Sequence, residues 1–310
     1  MGIKEKLKNN FWGEYAISQY HAFMSWFMPK VISDEKAVRK YYKKWTGDEL
    51  DLSNPQTFSQ KQQWYKLNAR LPLMQKCADK YAVREYIKDC GYKDLLNDLL
   101  GCYDNPDEID FDSLPNQFVI KASHGSGFNV IVKDKSRLNW KQTKIMLKSW
   151  LHQNIAWGGR EWVYKDMPRH IIIEKYLEDE TGELRDYKFF CFNGEPQFMQ
   201  LEVGRYTDHN ARNFYDMDWN LMPFGKSIPH DPSLDIPKPE MFDEMKKIAK
   251  DLCKPFQFVR VDLYQVGGKV YFGELTFFPA GGASDFIPSN YDIIVGNMWK
   301  IEEVKQETRG

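Results

Sequence analysis

Residues 256–282, FQFVRVDLYQVGGKVYFGELTFFPAGG, carry the pattern that decides the fold. Aromatic and β-branched residues flank Gly267-Gly268, which predicts two β-strands joined by a tight turn. Successive side chains of a strand point to opposite faces, so Arg260 and Asp262 share one face. Charged groups inside such apolar strands are costly unless they are paired or hold a metal ion. The hairpin is therefore the first candidate for a functional site.

The register of this hairpin decides whether its charged residues meet. A two-residue loop would pair Asp262 with Gly273 and turn Glu274 to the opposite face. We predict instead a three-residue loop, Val266–Gly268, because such loops are common when they end in a left-handed glycine. That loop pairs Arg260 with Glu274 and puts two carboxylates beside a guanidinium. Carboxylates of this kind suit Mg²⁺, although a buried ion network that only fixes the hairpin would use the same residues.

Arg260-Val261-Asp262 on one strand and Glu274 on the next, followed by proline and small residues, resemble the metal-binding hairpin of ATP-grasp ligases, including the D-alanine–D-alanine ligase class. The resemblance implies that Asp262, Glu274 and Thr276 bind magnesium and that Arg260 is catalytic. Those enzymes usually carry asparagine where this chain has Thr276. A hydroxyl is a weaker ligand than an amide carbonyl, so the departure bears on a second metal ion.

Composition narrows the class of protein. The chain has 310 residues, enough for one large or two ordinary domains. Its net charge of −1 and isoelectric point near 6.6 argue against nucleic acid as the main partner. The five cysteines form no Cys-x-x-Cys pair, which argues against zinc. An odd cysteine count without a signal-peptide pattern predicts a cytoplasmic protein.

Residues 11–28 form an aromatic segment that follows three lysines, at positions 4, 6 and 8. Polar residues such as Glu14 and His21 interrupt it, and it falls short of the about 20 apolar residues that a membrane span needs. The segment predicts a helix packed on its own domain. The other interpretation is an interfacial helix that gives a peripheral membrane contact, at the inner face of the membrane.

A second resemblance comes from residues 52–64, LSNPQTFSQKQQW. Asn54-Pro55 marks a break, and Thr57 with Gln60 predicts a capping box at the start of a helix. Leu-x-Asn-Pro-x-Thr-Phe followed by Lys-x-x-Trp is similar to the leader of the TupA-like ATP-grasp family. That family is associated with gene sets for teichuronopeptide, capsule and surface polysaccharides.

Residues 118–133 predict a strand, a glycine-rich turn and a second strand. Backbone N–H groups in the turn Gly125-Ser126-Gly127 can form a nest for phosphate, and Lys121 supplies a point charge at the end of the first strand. His124 either donates to a phosphate or caps the turn. The ATP-grasp resemblance further implies that Lys80 reaches the nucleotide phosphates. A plain hairpin and a solvated lysine are the competing interpretations.

The apolar strand that starts at His170 runs into a polar hinge. The resemblance implies that this strand ends at the adenine, with Glu174 taking the amino group. The backbone of Lys175 and Leu177 would then read the base edge, and Glu178, or Asp179 nearby, would bind the ribose hydroxyls. An edge strand that leaves the core is the competing interpretation.

Basic residues between the hinge and the hairpin are candidates for contacts to the transferred phosphate. Asp186 and Lys188 are two residues apart on a predicted strand, so they share a face and could line the site. In the family a basic residue of this region holds the γ-phosphate or the acyl phosphate. Arg212 is preferred over Arg205 for that role.

These motifs follow the order of an ATP-grasp protein over residues 79–282. The implied class is α+β, with an ATP-grasp fold of two α+β lobes clamping the nucleotide and a helical N-terminal extension. We assign residues 1–75 to the helical region, 76–117 to a segment before the fold, 118–178 to the small lobe, 179–300 to the large lobe with the magnesium site, and 301–310 to a tail.

The resemblance implies an ATP-dependent carboxylate–amine ligase that works through an acyl phosphate, with ATP and Mg²⁺ as cofactors. For the TupA-like branch the expected partners are an amino acid and a uronic-acid carboxylate on a small-molecule or lipid-linked glycan precursor. Three alternatives stay open. They are a glycosyltransferase using the Asp216-x-Asp218 spacing, a phosphotransferase with a hydroxyl acceptor, and a scaffold that has lost catalysis.

Overall fold

The computed structural model describes residues 11–27, 31–179, 182, 184–203, 211–228, 230–234, 236–283 and 285–301. Arg205 and the tail after Ile301 lie outside these residues. The helices are α1 (Phe11–Phe27), α2 (Asp34–Thr46), α3 (Phe58–Asn68), α4 (Pro72–Ala78), α5 (Val83–Asp89), α6 (Trp140–His152), α7 (Ala156–Gly159), α8 (Phe242–Cys253) and α9 (Tyr291–Asn297). The strands are β1 (Leu99–Tyr103), β2 (Phe118–Ala122), β3 (Asn129–Val132), β4 (Ile171–Lys175), β5 (Asp186–Phe192), β6 (Glu195–Val203), β7 (Ala211–Asp216), β8 (Gly225–Lys226), β9 (Phe258–Val266), β10 (Lys269–Thr276) and β11 (Phe286–Ile287).

The chain divides into two compact units. The first unit takes the described residues up to Ala37, together with Gln75–Arg84 and Asn97–Tyr176. The second takes Val38–Met74, Glu85–Leu96 and the described residues from Leu177 onward.

The first unit is built on a four-stranded antiparallel sheet in the order β1-β4-β2-β3. Its core lies between the sheet and α6, where Leu147 and Trp150 pack with Phe118, Ile120 and Ile171. Burial of these apolar side chains is the main force that holds the sheet to the helix. The predicted strand–turn–strand at residues 118–133 is confirmed as β2 and β3. The aromatic segment is confirmed as helix α1, which packs along α6 and α7.

The second unit is built on a five-stranded antiparallel sheet in the order β10-β9-β5-β6-β7. Helix α8 covers one face, where Phe242 stacks on Phe189 of β5. The opposite face carries Arg260, Asp262 and Lys188, and this alternation places the polar side chains on one side of otherwise apolar strands.

The leader motif has a structural role in the second unit. Thr57 accepts from the backbone N–H of Gln60 in the predicted capping box, which is confirmed at the start of α3. Lys61 donates to the carbonyl oxygens of Gly296 and Trp299 at 2.7 and 2.8 Å. Phe58 is fully buried among aromatic side chains. The motif therefore anchors α3 to the C-terminal helix rather than contributing chemistry.

The register of the β9–β10 hairpin differs from the predicted one. Val266 pairs with Lys269, so the loop has two residues, Gly267 and Gly268, whose φ angles are +55° and +70°. Positive φ at both positions is what a type I′ turn requires. The three-residue loop is therefore wrong.

A β-bulge at Gly273 restores the arrangement that the loop alone would have destroyed. The register shifts between Phe272 and Glu274, and Glu274 then pairs with Asp262. The extra residue of a bulge turns every later side chain to the other face. A Cβ at Gly273 would lie 2.9 Å from the carbonyl oxygen of Asp262, so the close approach of the strands requires glycine. The two carboxylates thus share a face by way of the bulge.

Three further features complete the description of the elements. The Asp79 carboxylate accepts from the backbone N–H groups of Tyr81 and Ala82 in a turn, and helix α5 begins after it at Val83. Trp157 lies in the short helix α7. After Gly282, β11 pairs with β8 before α9 begins.

Candidate active site

Arg260 organises the polar face of the second sheet. Its Nε and Nη2 donate to Oδ1 and Oδ2 of Asp262, each at 2.6 Å, in a bidentate pair. Nη2 also donates to Glu274 Oε1 and to Thr276 Oγ1, each at 3.1 Å. The Thr276 hydroxyl donates to Glu274 Oε1 at 2.9 Å. The four predicted hairpin residues therefore form one hydrogen-bonded group.

Lys188 joins this group from the neighbouring strand. It pairs across the ladder with Asp262, and its Nζ donates to Asp262 Oδ2 at 2.8 Å. The same ammonium contacts Asp186, which confirms that Lys188 and Asp186 share a face. Burial raises the pKa of the Asp186 carboxyl. Burial also works against a charged Lys188, but the carboxylates of Asp186 and Asp262 raise its pKa above the ordinary value.

The charges of this group are closely balanced. Although burial opposes it, the carboxylates of Asp262 and Glu274 raise the pKa of Arg260. Asp186, Asp262 and Glu274 contact Lys188 and Arg260, and these five groups together carry one formal negative charge when all of them are ionised. A surplus of negative charge favours a cation as the next ligand.

The donor set fits magnesium. Asp262 and Glu274 offer the hard oxygen ligands that Mg²⁺ takes, and Thr276 adds a hydroxyl. The Asp262 side chain is 1% exposed, whereas that of Glu274 is 35% exposed and can meet an incoming ion. Within the described part of the chain, no group of three or more His, Cys, Asp or Glu side chains is placed to hold a metal. An ion at Asp262 and Glu274 would therefore complete its coordination with phosphate oxygens and water.

Arg212 lies away from the hairpin group. It stands on β7, three strands from β9, which is about 14 Å at the usual strand spacing. Its Nη2 donates to Glu202 Oε2 at 2.9 Å, and its Nη1 donates to the carbonyl oxygen of Lys226 at 3.0 Å. The structure therefore gives Arg212 an ion-pair partner of its own.

Lys226 is a residue that the sequence did not reveal. It is 4% exposed, and its ammonium lies 5.7 Å from the ring centres of Phe190 and Phe286. Burial, followed by the charges of Arg260 and Arg212, lowers the pKa of Lys226 to about 7. No motif surrounds this residue, and only the tertiary fold brings the aromatic rings to it.

In the first unit, Glu174 connects the candidate nucleotide residues. Lys121 Nζ donates to Glu174 Oε2 at 2.7 Å, and Arg84 Nη1 donates to Glu174 Oε1 at 3.2 Å. The pairing of β2 with β4 brings Lys121 and Glu174 together. Arg84 was not singled out from the sequence. Both carboxylate oxygens of Glu174 accept from cations, which fixes the position of Lys121, and the contact of Glu174 to adenine stays a prediction.

The glycine-rich turn and Lys80 also come together. Gly125 and Gly127 have φ angles of +103° and +81°, which a side chain would disfavour. The Lys80 ammonium contacts the carbonyl oxygen of Gly125, and its backbone N–H donates to Ser123 at 3.0 Å. Ser126 lies between the two glycines. Two lysines, Lys80 and Lys121, thus flank the turn in which we expect a phosphate nest.

His124 does not have the arrangement of a phosphate donor. It is buried, its Nε2 lies 3.0 Å from the carbonyl oxygen of Trp150, and its ring packs on Phe128. Burial lowers the pKa of His124 to about 4, so the ring is neutral at pH 7. A neutral ring that donates through Nε2 has only an acceptor at Nδ1. The predicted alternative of a structural role fits this geometry.

The backbone of Lys175 at the hinge is also engaged. Its N–H donates to Asp98 at 3.0 Å, and its carbonyl oxygen accepts from Asn97 Nδ2 at 2.8 Å. A carbonyl oxygen has a second lone pair, so a base edge remains compatible with this contact. Leu177 and Glu178 follow in extended chain outside any regular element.

The Asp216-x-Asp218 spacing forms a turn in the structure. Asp216 Oδ1 accepts from the backbone N–H groups of Asp218 and Asn220 at 2.9 and 2.8 Å, and Oδ2 accepts from Asn220 Nδ2 at 2.9 Å. Trp219 stacks on Tyr215 beside it. The Asp216 carboxylate thus stabilises the turn. The Asp216-x-Asp218 spacing, which was the feature that favoured a glycosyltransferase, has this structural explanation.

Comparison with known proteins identifies the class. The model of the family described as TupA-like ATPgrasp matches residues 60–300, and the chain belongs to this family. The predicted family and the α+β ATP-grasp fold are thereby confirmed.

Similar solved structures are distant in sequence. A D-alanine–D-alanine ligase from Bacillus anthracis is 18% identical, over 74% of this chain and 69% of the other, with a TM-score of 0.42. The Helicobacter pylori D-alanine–D-alanine ligase is 15% identical, over 82% and 67%, with a TM-score of 0.43. A phosphoribosylamine–glycine ligase from Thermotoga maritima is 14% identical, over 66% and 48%, with a TM-score of 0.40. No curated protein sequence matches significantly.

Proposed function

We propose that this protein is an ATP-dependent carboxylate–amine ligase. The observation that carries the proposal is the group of Arg260, Asp262, Glu274 and Thr276, which sits on one sheet face of a TupA-like ATP-grasp chain. It joins oxygen ligands for a cation to a guanidinium fixed in place by two short hydrogen bonds. Phosphoryl transfer depends mainly on such positioning and charge stabilisation.

The reaction would proceed in two steps. A substrate carboxylate oxygen attacks the γ-phosphorus of ATP, and ADP leaves with the electrons of the broken P–O bond. An amine then attacks the carbonyl carbon of the acyl phosphate, loses a proton and expels inorganic phosphate. Arg260 would stabilise the charge that develops on the transferred group. Magnesium held by Asp262 and Glu274 would supply charge neutralisation at the phosphates.

The first unit would hold the nucleotide. Lys80 and Lys121 stand beside the Gly125–Gly127 turn, and Glu174 with Arg84 fixes the position of Lys121. A lysine offers a point charge that suits phosphate oxygens. The backbone of Lys175 and Leu177 and the side chain of Glu178 remain the proposed contacts to the base and ribose.

For the substrates we propose a uronic-acid carboxylate of a surface-polysaccharide precursor and the amine of an amino acid. The support is the association of the TupA-like family with such polysaccharides. A hydroxyl acceptor in place of the carboxylate would make the same site a phosphotransferase, and the product distinguishes the two.

A peripheral membrane contact through α1 fits a lipid-linked precursor at the inner face of the membrane. Trp12, Phe23 and Trp26 are 66%, 55% and 61% exposed, and their spacing places them on one side of the helix. The lysines at positions 4, 6 and 8 precede this aromatic face and would attract anionic lipid. None of the helices described here has the length and hydropathy of a membrane span.

Calorimetry tests the ATP and metal site. The wild-type protein should bind ATP with magnesium, and Asp262→Asn or Glu274→Gln should weaken that binding at least about tenfold, because losing even an outer-shell partner of a metal ligand costs about 10- to 100-fold. Asp243→Asn is the matched control, because Asp243 is an exposed residue of α8, on the opposite face of the sheet. Equal binding by Asp262→Asn and the wild type would overturn the assignment.

Product analysis tests the reaction class. Incubation of the wild-type protein with ATP, D-glucuronate and a mixture of amino acids should release ADP and inorganic phosphate in equal amounts and form an amide. Release of ADP with a phosphorylated sugar and no free phosphate would make the protein a phosphotransferase.

A further inference from the structure

Lys226 is a buried cation of the second unit that lies among aromatic side chains. Strand β8 carries it, and the pairing of β8 with β11 places it against Phe286. Its ammonium also lies 5.7 Å from the ring centre of Phe190 and 5.9 Å from that of Phe58. The three rings offer their faces to the charge, but they cannot neutralise it.

Charges of both signs act on Lys226, and the cations have the larger effects. Arg260 and Arg212 act on it as cations, and the acidic groups that face it are Asp292 and Asp285. The Asp292 carboxylate accepts from the backbone N–H and hydroxyl of Ser59 at 2.9 and 3.1 Å. Across the residues that the structure describes, no carboxylate forms an ion pair with Lys226. A buried charge without a partner is costly, so the environment of Lys226 favours an anionic ligand.

The neighbouring cations already have partners. Arg260 and Lys188 donate to Asp262, and Arg212 donates to Glu202. The Nε of Arg212 is a buried donor that lacks a hydrogen-bond partner among the described residues. Among these four described cations, Lys226 is therefore the one without a carboxylate ion pair.

The position of Lys226 relates it to the reacting group. Phe190, whose ring lies under the ammonium, pairs with Arg260 across the β5–β9 ladder. Residues paired in an antiparallel ladder have Cα atoms about 5 Å apart. A ligand held at Lys226 would thus lie beside Arg260, close to the metal-binding carboxylates.

We propose that Lys226 binds the carboxylate of the substrate and holds it beside Arg260, next to the rings of Phe58, Phe190 and Phe286. This inference rests on the proposed function, because it names the site of the acid to be activated. A carboxylate carries the single negative charge that one uncompensated lysine requires. The aromatic walls suit the body of an organic acid better than a free phosphate, which needs donors on several sides.

Proton linkage gives the proposal a signature that a structural lysine would not show. An anion stabilises the charged form of Lys226, whose pKa is near 7 in the free protein. Binding of a carboxylate at pH 8 must therefore take up a proton. Its affinity should fall by up to about tenfold per pH unit between pH 7 and 9.

The test measures D-glucuronate binding by calorimetry to the wild type, Lys226→Met and Lys226→Arg, in two buffers of different ionisation enthalpy at pH 8. We expect Lys226→Met to lose at least tenfold in affinity and all proton uptake. Lys226→Arg should retain binding without the uptake, because arginine stays charged. Unchanged glucuronate affinity in Lys226→Met would overturn the proposal.

Parallel titrations with inorganic phosphate and with ATP plus magnesium identify the anion. If Lys226→Met loses phosphate or ATP affinity and keeps glucuronate affinity, Lys226 binds a phosphoryl group and the carboxylate assignment is wrong. Retained ATP binding in Lys226→Met also shows that the unit is folded. If glucuronate binding requires Lys226 but no amine yields ADP and phosphate, the carboxylate site stands and the ligase proposal fails.

Discussion

Replacing Lys226 with methionine should stabilise the ligand-free protein. Burial and two nearby guanidiniums lower the pKa of Lys226 from 10.5 to about 7 in the folded state. One pKa unit corresponds to about 1.36 kcal/mol. Because the lysine binds its proton more tightly in the unfolded state, it lowers the free energy of unfolding by about 4 kcal/mol at pH 7. Methionine has a similar length, suits the aromatic walls and carries no charge. Lys226→Met should therefore gain up to about 4 kcal/mol at pH 7.

The pH dependence identifies the cause. Between pH 7 and 10.5 the unfolded state binds more protons at this position than the folded state, so wild-type stability rises with pH through that window. The advantage of Lys226→Met should shrink to about 2 kcal/mol at pH 9 and to below about 1 kcal/mol near pH 10.5.

Urea unfolding of both proteins at pH 7, 8 and 9 measures these differences. Lys247→Met, at an exposed position of α8, is the matched control and should show no pH-dependent change relative to the wild type. A Lys226→Met variant that is less stable than the wild type at pH 7 would refute the reasoning. It would mean that the ammonium has a compensating anion in the folded protein.

Three other predictions concern the bulge, the buried histidine and the N-terminal helix. Gly273→Ala should destabilise the protein by about 2 kcal/mol and weaken ATP binding with magnesium, because its Cβ meets the Asp262 carbonyl. Gly158→Ala, whose Cβ meets nothing within 4 Å, is the control, and equal effects would contradict the role of the bulge. The pKa of His124 is about 4 in the folded protein and 6.5 when unfolded. The contribution of His124 to the free energy of unfolding is therefore full above pH 6.5 and falls by about 2 kcal/mol by pH 5. Urea unfolding should show that loss in the wild type and not in His124→Gln. Trp12→Ser with Phe23→Ser should reduce sedimentation with phosphatidylglycerol vesicles at least about tenfold, and unchanged sedimentation would refute the membrane contact.

The sequence predicted local structure well, because local rules decide it. The Thr57 capping box and the strands around the glycine-rich turn depend on residues a few positions apart. The predicted register of the hairpin is wrong because it lacks the bulge at Gly273, although a glycine inside a strand is itself a signal for a bulge. Weighing that signal would have given the two-residue loop together with carboxylates on one face.

Long-range contacts account for the rest of the site. Arg84 and Lys121 both contact Glu174. Lys121 reaches it because β2 pairs with β4, although β3, α6 and α7 separate these two strands in the chain. Lys226 becomes a buried cation only when Phe58 and Phe286 close over it from distant parts of the chain. A single lysine carries no local pattern that distinguishes this environment from solvent.

The polar face of the second sheet carries buried charges of two kinds, those paired with a carboxylate and one without such a partner. Arg260 and Lys188 are paired with Asp262 before any ligand arrives, so their geometry is fixed in advance and needs no reorganisation during phosphoryl transfer. Lys226 is held without such a partner, which lowers the stability of the free protein and raises the affinity for an anion that restores its charge. A sequence optimised for stability alone would replace Lys226 with an apolar residue. A lysine among aromatic rings beside Arg260 thus costs stability in the free protein, and the proposed binding of a substrate carboxylate would reverse that loss.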